Sequence, residues 1–132
     1  MISAEAFCMQ TILIVDDNLD LCRPMASLLK HLGYNSQYAT GGEAALQFVS
    51  ANVPDLVILD VMMPDIDGLE VLRRMKADPR TQDVPVVMFS AVSDNEFNAF
   101  TRSMGAVDYW VKAGLDFGKL GERINQILPK AG

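Results

Sequence analysis

Three stretches of the chain, TILIV (11–15), LVIL (56–59) and PVVMFSA (85–91), are almost unbroken runs of apolar residues. A strand with one solvated face alternates apolar and polar side chains. Unbroken runs instead belong to strands covered on both faces, as in a parallel sheet sandwiched between helices. VDYWV (107–111) reads as a further strand, and YNSQYA (34–39) as a weaker, more polar one.

Helical patterns separate these runs. Leu21, Met25, Leu28, Leu29 and Leu32 share one helical face, and Gly33 stands where a C-terminal cap belongs. Pro24 lies inside that pattern and, lacking an N–H, is expected to delay or kink the helix start. Thr40-Gly41-Gly42-Glu43 and Ser93-Asp94-Asn95-Glu96 have capping-box spacing ahead of apolar patterns at 45–49 and 97–104. Leu69, Leu72 and Met75 form another stripe, ended by Asp78-Pro79, and a last helix is expected over about 117–128, interrupted by Gly118 and Gly121. The order is strand then helix, five times. Right-handed crossovers then place helices on both faces of one sheet. The expected fold is α/β, a three-layer (βα)5 sandwich with a five-stranded parallel sheet in the flavodoxin-like order 2-1-3-4-5.

At 132 residues this is one domain's worth of chain, read as an N-terminal extension (1–10), the folded domain (11–129) and a C-terminal tail (130–132). A formal charge of −6 speaks against a direct nucleic-acid binder, whose footprint is usually basic. Cys8 and Cys22 have no metal-binding spacing and read as free thiols. The first ten residues lack the basic and apolar regions of a signal peptide, and no stretch reaches the ~20 apolar residues of a membrane span, so a cytoplasmic location is expected.

Four of the five strands run into polar residues. The first ends in Asp16-Asp17, the third in Asp60, the fourth in Ser90 and the fifth in Lys112. In an open parallel sheet all carboxyl ends lie on one edge, where ligands bind, so these residues converge on one rim. Each alone has a plainer reading as a loop, cap or solvated residue. Together they make a site. Carboxylates this close repel one another unless a cation neutralises them, and Mg²⁺ suits one or two carboxylates plus a phosphate oxygen. A lysine and a hydroxyl beside them suit a phosphoryl group, and a carboxylate nucleophile there can form an aspartyl phosphate.

The runs ILIVDDN (12–18), LVILDVMMPDIDGLEVL (56–72), PVVMFSA (85–91) and GAVDYWVK (105–112) together resemble the receiver (response-regulator) domain of bacterial two-component signalling. The resemblance implies that Asp60 is the phosphoacceptor, loaded by a sensor histidine kinase or a histidine phosphotransfer protein. It implies Mg²⁺ held by Asp17, Asp60 and the backbone carbonyl of Met62, with Asp16 acting through water. Lys112 would contact the phosphoryl group, Ser90 would swing toward it, and the rotamer of Tyr109 would follow. The output face would be roughly 95–128, meeting a downstream protein target that the residues do not name. It leaves open a phosphorylation-dependent homodimer.

Several positions depart from the family or need a second reading. Ala113 stands where the family usually has Pro after the lysine, and an X–Ala bond strongly prefers trans, which bears on the loop after the fifth strand and on the lysine's pose. Trp110 replaces a smaller residue and is expected to pack in the core. Met62 and Val92 flank the path of an attacking water and cannot orient it, so self-dephosphorylation is expected to be slow. His31 reads as a surface residue near a helix C-terminus, and the eight methionines as core filler. Two rival functions stand beside the switch, which is not an enzyme in the turnover sense. An aspartate-nucleophile phosphohydrolase would want an acid where Met62 stands, and a degenerate receiver would act as a binding module without phosphorylation.

Overall fold

The computed structural model describes residues 9–128. Five strands alternate with five helices: β1 (Thr11–Val15), α1 (Leu19–His31), β2 (Asn35–Ala39), α2 (Gly42–Ala51), β3 (Leu56–Asp60), α3 (Gly68–Ala77), β4 (Val86–Ser90), α4 (Asn95–Ser103), β5 (Asp108–Val111) and α5 (Leu120–Ile127). All pairings are parallel and the sheet order is β2-β1-β3-β4-β5. The expected flavodoxin-like (βα)5 fold is the observed one.

The period of two along each strand divides the core into two layers. Leu13, Val15, Val57, Leu59, Val86 and Met88 face α2 and α3. Ile12, Ile14, Leu56, Ile58, Val87 and Phe89 face α1 and α5. Every residue of β3 and β4 is buried, which is why their sequences show no polar alternation. β2 is an edge strand with three of its five residues exposed, and its weaker signal follows from that. Trp110 is fully buried in the α1/α5 layer, as expected; its Nε1 donates to Asp108 Oδ2 at 2.9 Å and the Arg123 guanidinium lies 4.8 Å from its ring centre.

Helix ends account for most departures from expectation. α1 is neither delayed nor restarted by Pro24. The Asn18 side chain accepts from Asp20 N and starts the helix at Leu19, with Pro24 inside it. The carbonyl that Pro24 cannot satisfy is that of Asp20, an exposed residue, so solvent can serve it. Gly33 does end α1: at φ +100° it lets its own N–H reach Lys30 O and Tyr34 N reach Leu29 O. α4 is capped by Asp94, not Ser93, through Glu96 N and Phe97 N. α2 starts after Gly41, which has no side chain to cap it, so the expected capping box at Thr40 does not form. The last helix begins as a 3-10 turn (Phe117–Lys119) under an Asp116 cap before becoming α5.

His31 is exposed in the last turn of α1, and Met25, Met63, Met75 and Met88 pack in the two layers, whereas Met9 and Met62 are exposed and are not core filler. Cys22 is a free, buried thiol; Cys8, the first eight residues of the extension and the tail fall outside the described residues. No helix among the described residues is long and apolar enough to cross a membrane.

Candidate functional site

The carboxyl ends of β1, β3, β4 and β5 deliver the polar residues to one place. Val15 pairs with Leu59 across β1 and β3, so the next residues, Asp16 and Asp60, emerge side by side. Carboxylate oxygens of Asp16, Asp17 and Asp60 lie within 4.8 Å of one another, with Asp16 and Asp60 buried and Asp17 exposed. From β5, Lys112 Nζ reaches Asp16 Oδ2 at 2.7 Å and Asp60 Oδ1 at 3.2 Å.

Lys112 keeps this pose without the usual Pro. The backbone contains no cis peptide bond among the described residues, so Lys112–Ala113 is trans. Lys112 N donates to Ser90 O at 2.7 Å, extending the β4–β5 ladder, and Nζ lies 5.3 Å from the Phe89 ring centre. The chain then turns at Gly114, φ +93°, with Leu115 N on Lys112 O. The lysine is held from before the departure, not after it.

Electrostatics set the chemistry of the cluster. Burial and then the charge of Asp16 push the Asp60 carboxyl above its usual range, while Lys112 and the Met62 N–H pull it back down. Burial acts to lower the Lys112 ammonium, but its hydrogen bond and charge interaction with Asp16, and those with Asp60, outweigh it and hold it above its usual value. Three carboxylates face one ammonium, which leaves a surplus of negative charge. Asp16 Oδ1 accepts from Asn18 N at 3.0 Å, and its buried Oδ2 has the Lys112 ammonium at 2.7 Å as its one polar contact among the described residues. Surplus negative charge and an all-oxygen donor set within 4.8 Å fit a hard divalent cation such as Mg²⁺.

On Asp60, both contacts fall on Oδ1, from Lys112 and from Met62 N at 3.2 Å. Oδ2 accepts no hydrogen bond from the described residues. Met62 and Val92 are exposed at the rim, at 72% and 51%.

Ser90 is buried at the end of β4, and its Oγ accepts from Val92 N at 3.0 Å. Tyr109 is buried too; its hydroxyl donates to Val92 O at 2.6 Å and its ring meets Phe97 edge-on at 6.0 Å. The two residues expected to move together thus bond to opposite sides of one residue's backbone. Sequence reading did not find Asp65, whose carboxylate lies against the start of α2, nor the reason for Gly68. A Cβ on Gly68 would collide with the carbonyl oxygen of Asp60. Asp67 could be read as a cap from its spacing to Glu70, and it is one, but Asp65 has no such local signal.

The fold agrees with comparisons to known proteins. Residues 12–125 match the family model described as "Response regulator receiver domain". The transcriptional regulatory protein ZraR of Escherichia coli (strain K12) is 37% identical over 117 residues, which is 89% of this chain and 26% of ZraR. This chain therefore spans about a quarter of that relative's length. A chain described as a response regulator of Chloroflexus aurantiacus J-10-fl has a TM-score of 0.84 at 34% identity, covering 92% of this chain and 99% of that one. The chemotaxis response regulator CheY4 of Vibrio cholerae superimposes with a TM-score of 0.85, covering 91% and 99% of the two chains; at 24% identity this likeness speaks for the fold alone.

Proposed function

The chain belongs to the response regulator receiver domain family, and from that premise we propose that it is a Mg²⁺-dependent phospho-accepting switch whose acceptor is Asp60. The observation that carries this reading is the sharing of Lys112 Nζ between two buried carboxylates with a third within reach.

Asp60 Oδ2 is the nucleophile, because Oδ1 is already engaged by Lys112 and the Met62 amide. Its attack on a phosphohistidine forms the O–P bond as the P–N bond breaks, and the imidazole leaves with the electron pair. Asp17, Asp60 and the Met62 carbonyl would hold Mg²⁺ directly and Asp16 through water; the ion supplies neutralisation of the charge gathered by carboxylates and phosphoryl oxygens. Lys112, a fixed ammonium 3.2 Å from the acceptor, provides the remaining positive charge. The phosphorylated site then competes for the Ser90 hydroxyl. If Ser90 turns to a phosphoryl oxygen, Val92 N loses its acceptor, the 91–94 loop loosens, and the Tyr109–Val92 bond goes with it. Tyr109 contacts Phe97 of α4, so the change arrives on the 95–128 face that would meet a downstream target or a second copy. The domain spans 11–129 in this reading, acts in the cytoplasm on proteins, and turns over no substrate of its own.

The test is incubation with phosphoramidate and Mg²⁺ followed by intact mass. One phosphoryl adduct is expected, absent in Asp60→Asn and absent with EDTA. No adduct on the folded wild-type chain would overturn the switch and leave a silent binding module. Followed over time, the adduct should be long-lived, and Met62→Gln, which can orient a water, should shorten its life several-fold; an unchanged lifetime removes the hydrolysis argument.

A further inference from the structure

The first N–H groups of a helix need acceptors from outside the helix. α2 cannot supply its own, since its N-cap is Gly41. Asp65 supplies them from a different element. It sits in the 61–67 loop between β3 and α3, and its Oδ1 accepts from Gly42 N at 3.1 Å while Oδ2 accepts from Glu43 N at 3.0 Å. The two glycines make the approach close. A Cβ on Gly41 would sit 3.0 Å from Asp65 Oδ2, and one on Gly42 would collide with the Ile66 carbonyl.

The same loop begins at the acceptor. Met62 N donates to Asp60 Oδ1, and the loop's ends are joined by Gly68 N on Val61 O at 2.8 Å. Between those ends, Asp65 makes the only side-chain hydrogen bonds from the loop to α2 among the described residues. We propose that Asp65 is a positioning residue for the phosphoryl-transfer site: by clamping the loop to α2 it holds the Met62 amide on Asp60 and the Met62 carbonyl in place for the cation. This deepens the proposed function and rests on it. The N–H groups of Glu43, Ile66 and Gly42 hold the Asp65 carboxyl below its usual range, so the clamp is charged at neutral pH. Charge-assisted hydrogen bonds of this kind are the stronger ones.

A cap and a clamp can be told apart. Asp65→Ala removes both. Adding Gly41→Ser gives α2 a side-chain cap of its own, at an extended residue (φ −173°) that any amino acid adopts, in a space that the lost carboxylate has vacated. Backbone amide exchange and the Mg²⁺ concentration for half-maximal phosphoramidate labelling are measured on both variants. Asp65→Ala should raise that Mg²⁺ requirement several-fold and speed exchange both in the 61–67 loop and in the first turn of α2. The double variant should restore α2 protection while the loop stays fast and the Mg²⁺ requirement stays high. If it restores the loop and the requirement as well, or if Asp65→Ala leaves the requirement unchanged in a chain that does label, Asp65 is a helix cap and this inference fails alone. A wild-type chain that never labels overturns the proposed function, and the positioning role with it.

Discussion

Two loops border Asp60, the proposed acceptor, and they are built in opposite ways. The 61–67 loop after β3 is closed at its root by Gly68 N on Val61 O, clamped at its middle by Asp65 and capped onto α3 by Asp67, with Val61 and Met63 buried beneath it. In the 91–94 loop after β4 every residue is exposed; both of its tethers back to the strands, Ser90 Oγ and the Tyr109 hydroxyl, end on the backbone of Val92. Both loops leave strands that are fully buried. The difference teaches how one rim can be both rigid and responsive. In the proposed switch, the phosphoacceptor has to be held in line, whereas the reporter has to be held by few enough bonds that a new one can replace them.

The largest effect should come from attacking the rigid loop. Gly68→Ala places a methyl group against the Asp60 carbonyl and within 3.0 Å of Val61 Cα, backbone that cannot step aside. Ala would gain ~1 kcal/mol of helix propensity, but overpacking of this kind costs about 3 kcal/mol. Urea unfolding should therefore show a net loss of stability, and a neutral or stabilised Gly68→Ala would mean the loop is softer than its contacts say.

Tyr109→Phe should act on the other loop and less strongly. Losing the hydroxyl that meets Val92 O should cost about 1 kcal/mol and speed amide exchange across 91–96 while 61–67 stays protected. Equal loosening of both loops would erase the contrast.

The smallest effect is on pH dependence. Asp65 titrates below the unfolded carboxylate value, so its contribution is fully present above that value and is lost as pH falls through the lower, folded one. Asp65→Asn should flatten the acid limb of the stability curve between those two values and leave the curve's shape near neutrality alone. Thermal unfolding across that range would show it, and an unchanged acid limb would mean the clamp carries no charge.

The legibility of these regions in sequence depends on the range of the forces that make them. β3 and β4 can be read because burial on both faces leaves an unbroken apolar run. The site residues can be read because a parallel sheet brings every strand's carboxyl end to one edge. The caps are harder to read. Ser93 and Asp94 both offer a capping oxygen, and only the actual helix start at Asn95 separates them. Thr40 has the spacing for a cap, yet α2 begins two residues later because Asp65 offers its acceptors from across a loop. Pro24 disturbs its helix less than its residue type suggests, because its missing bond falls on the carbonyl of an exposed residue, Asp20.

From sequence alone came the alternation of strand and helix, the two-sided burial of the central strands, and the identity of the acids, hydroxyl and amine at the rim. These rest on periodicity and on chain order, which are properties of neighbouring residues. Only the tertiary structure decided that Lys112 bridges Asp16 and Asp60, that Ser90 and Tyr109 meet on Val92, and that Asp65 serves α2. Each of these depends on a distance between segments remote in the chain, and a hydrogen bond is lost within about an ångström of its optimum, a precision that no local pattern carries.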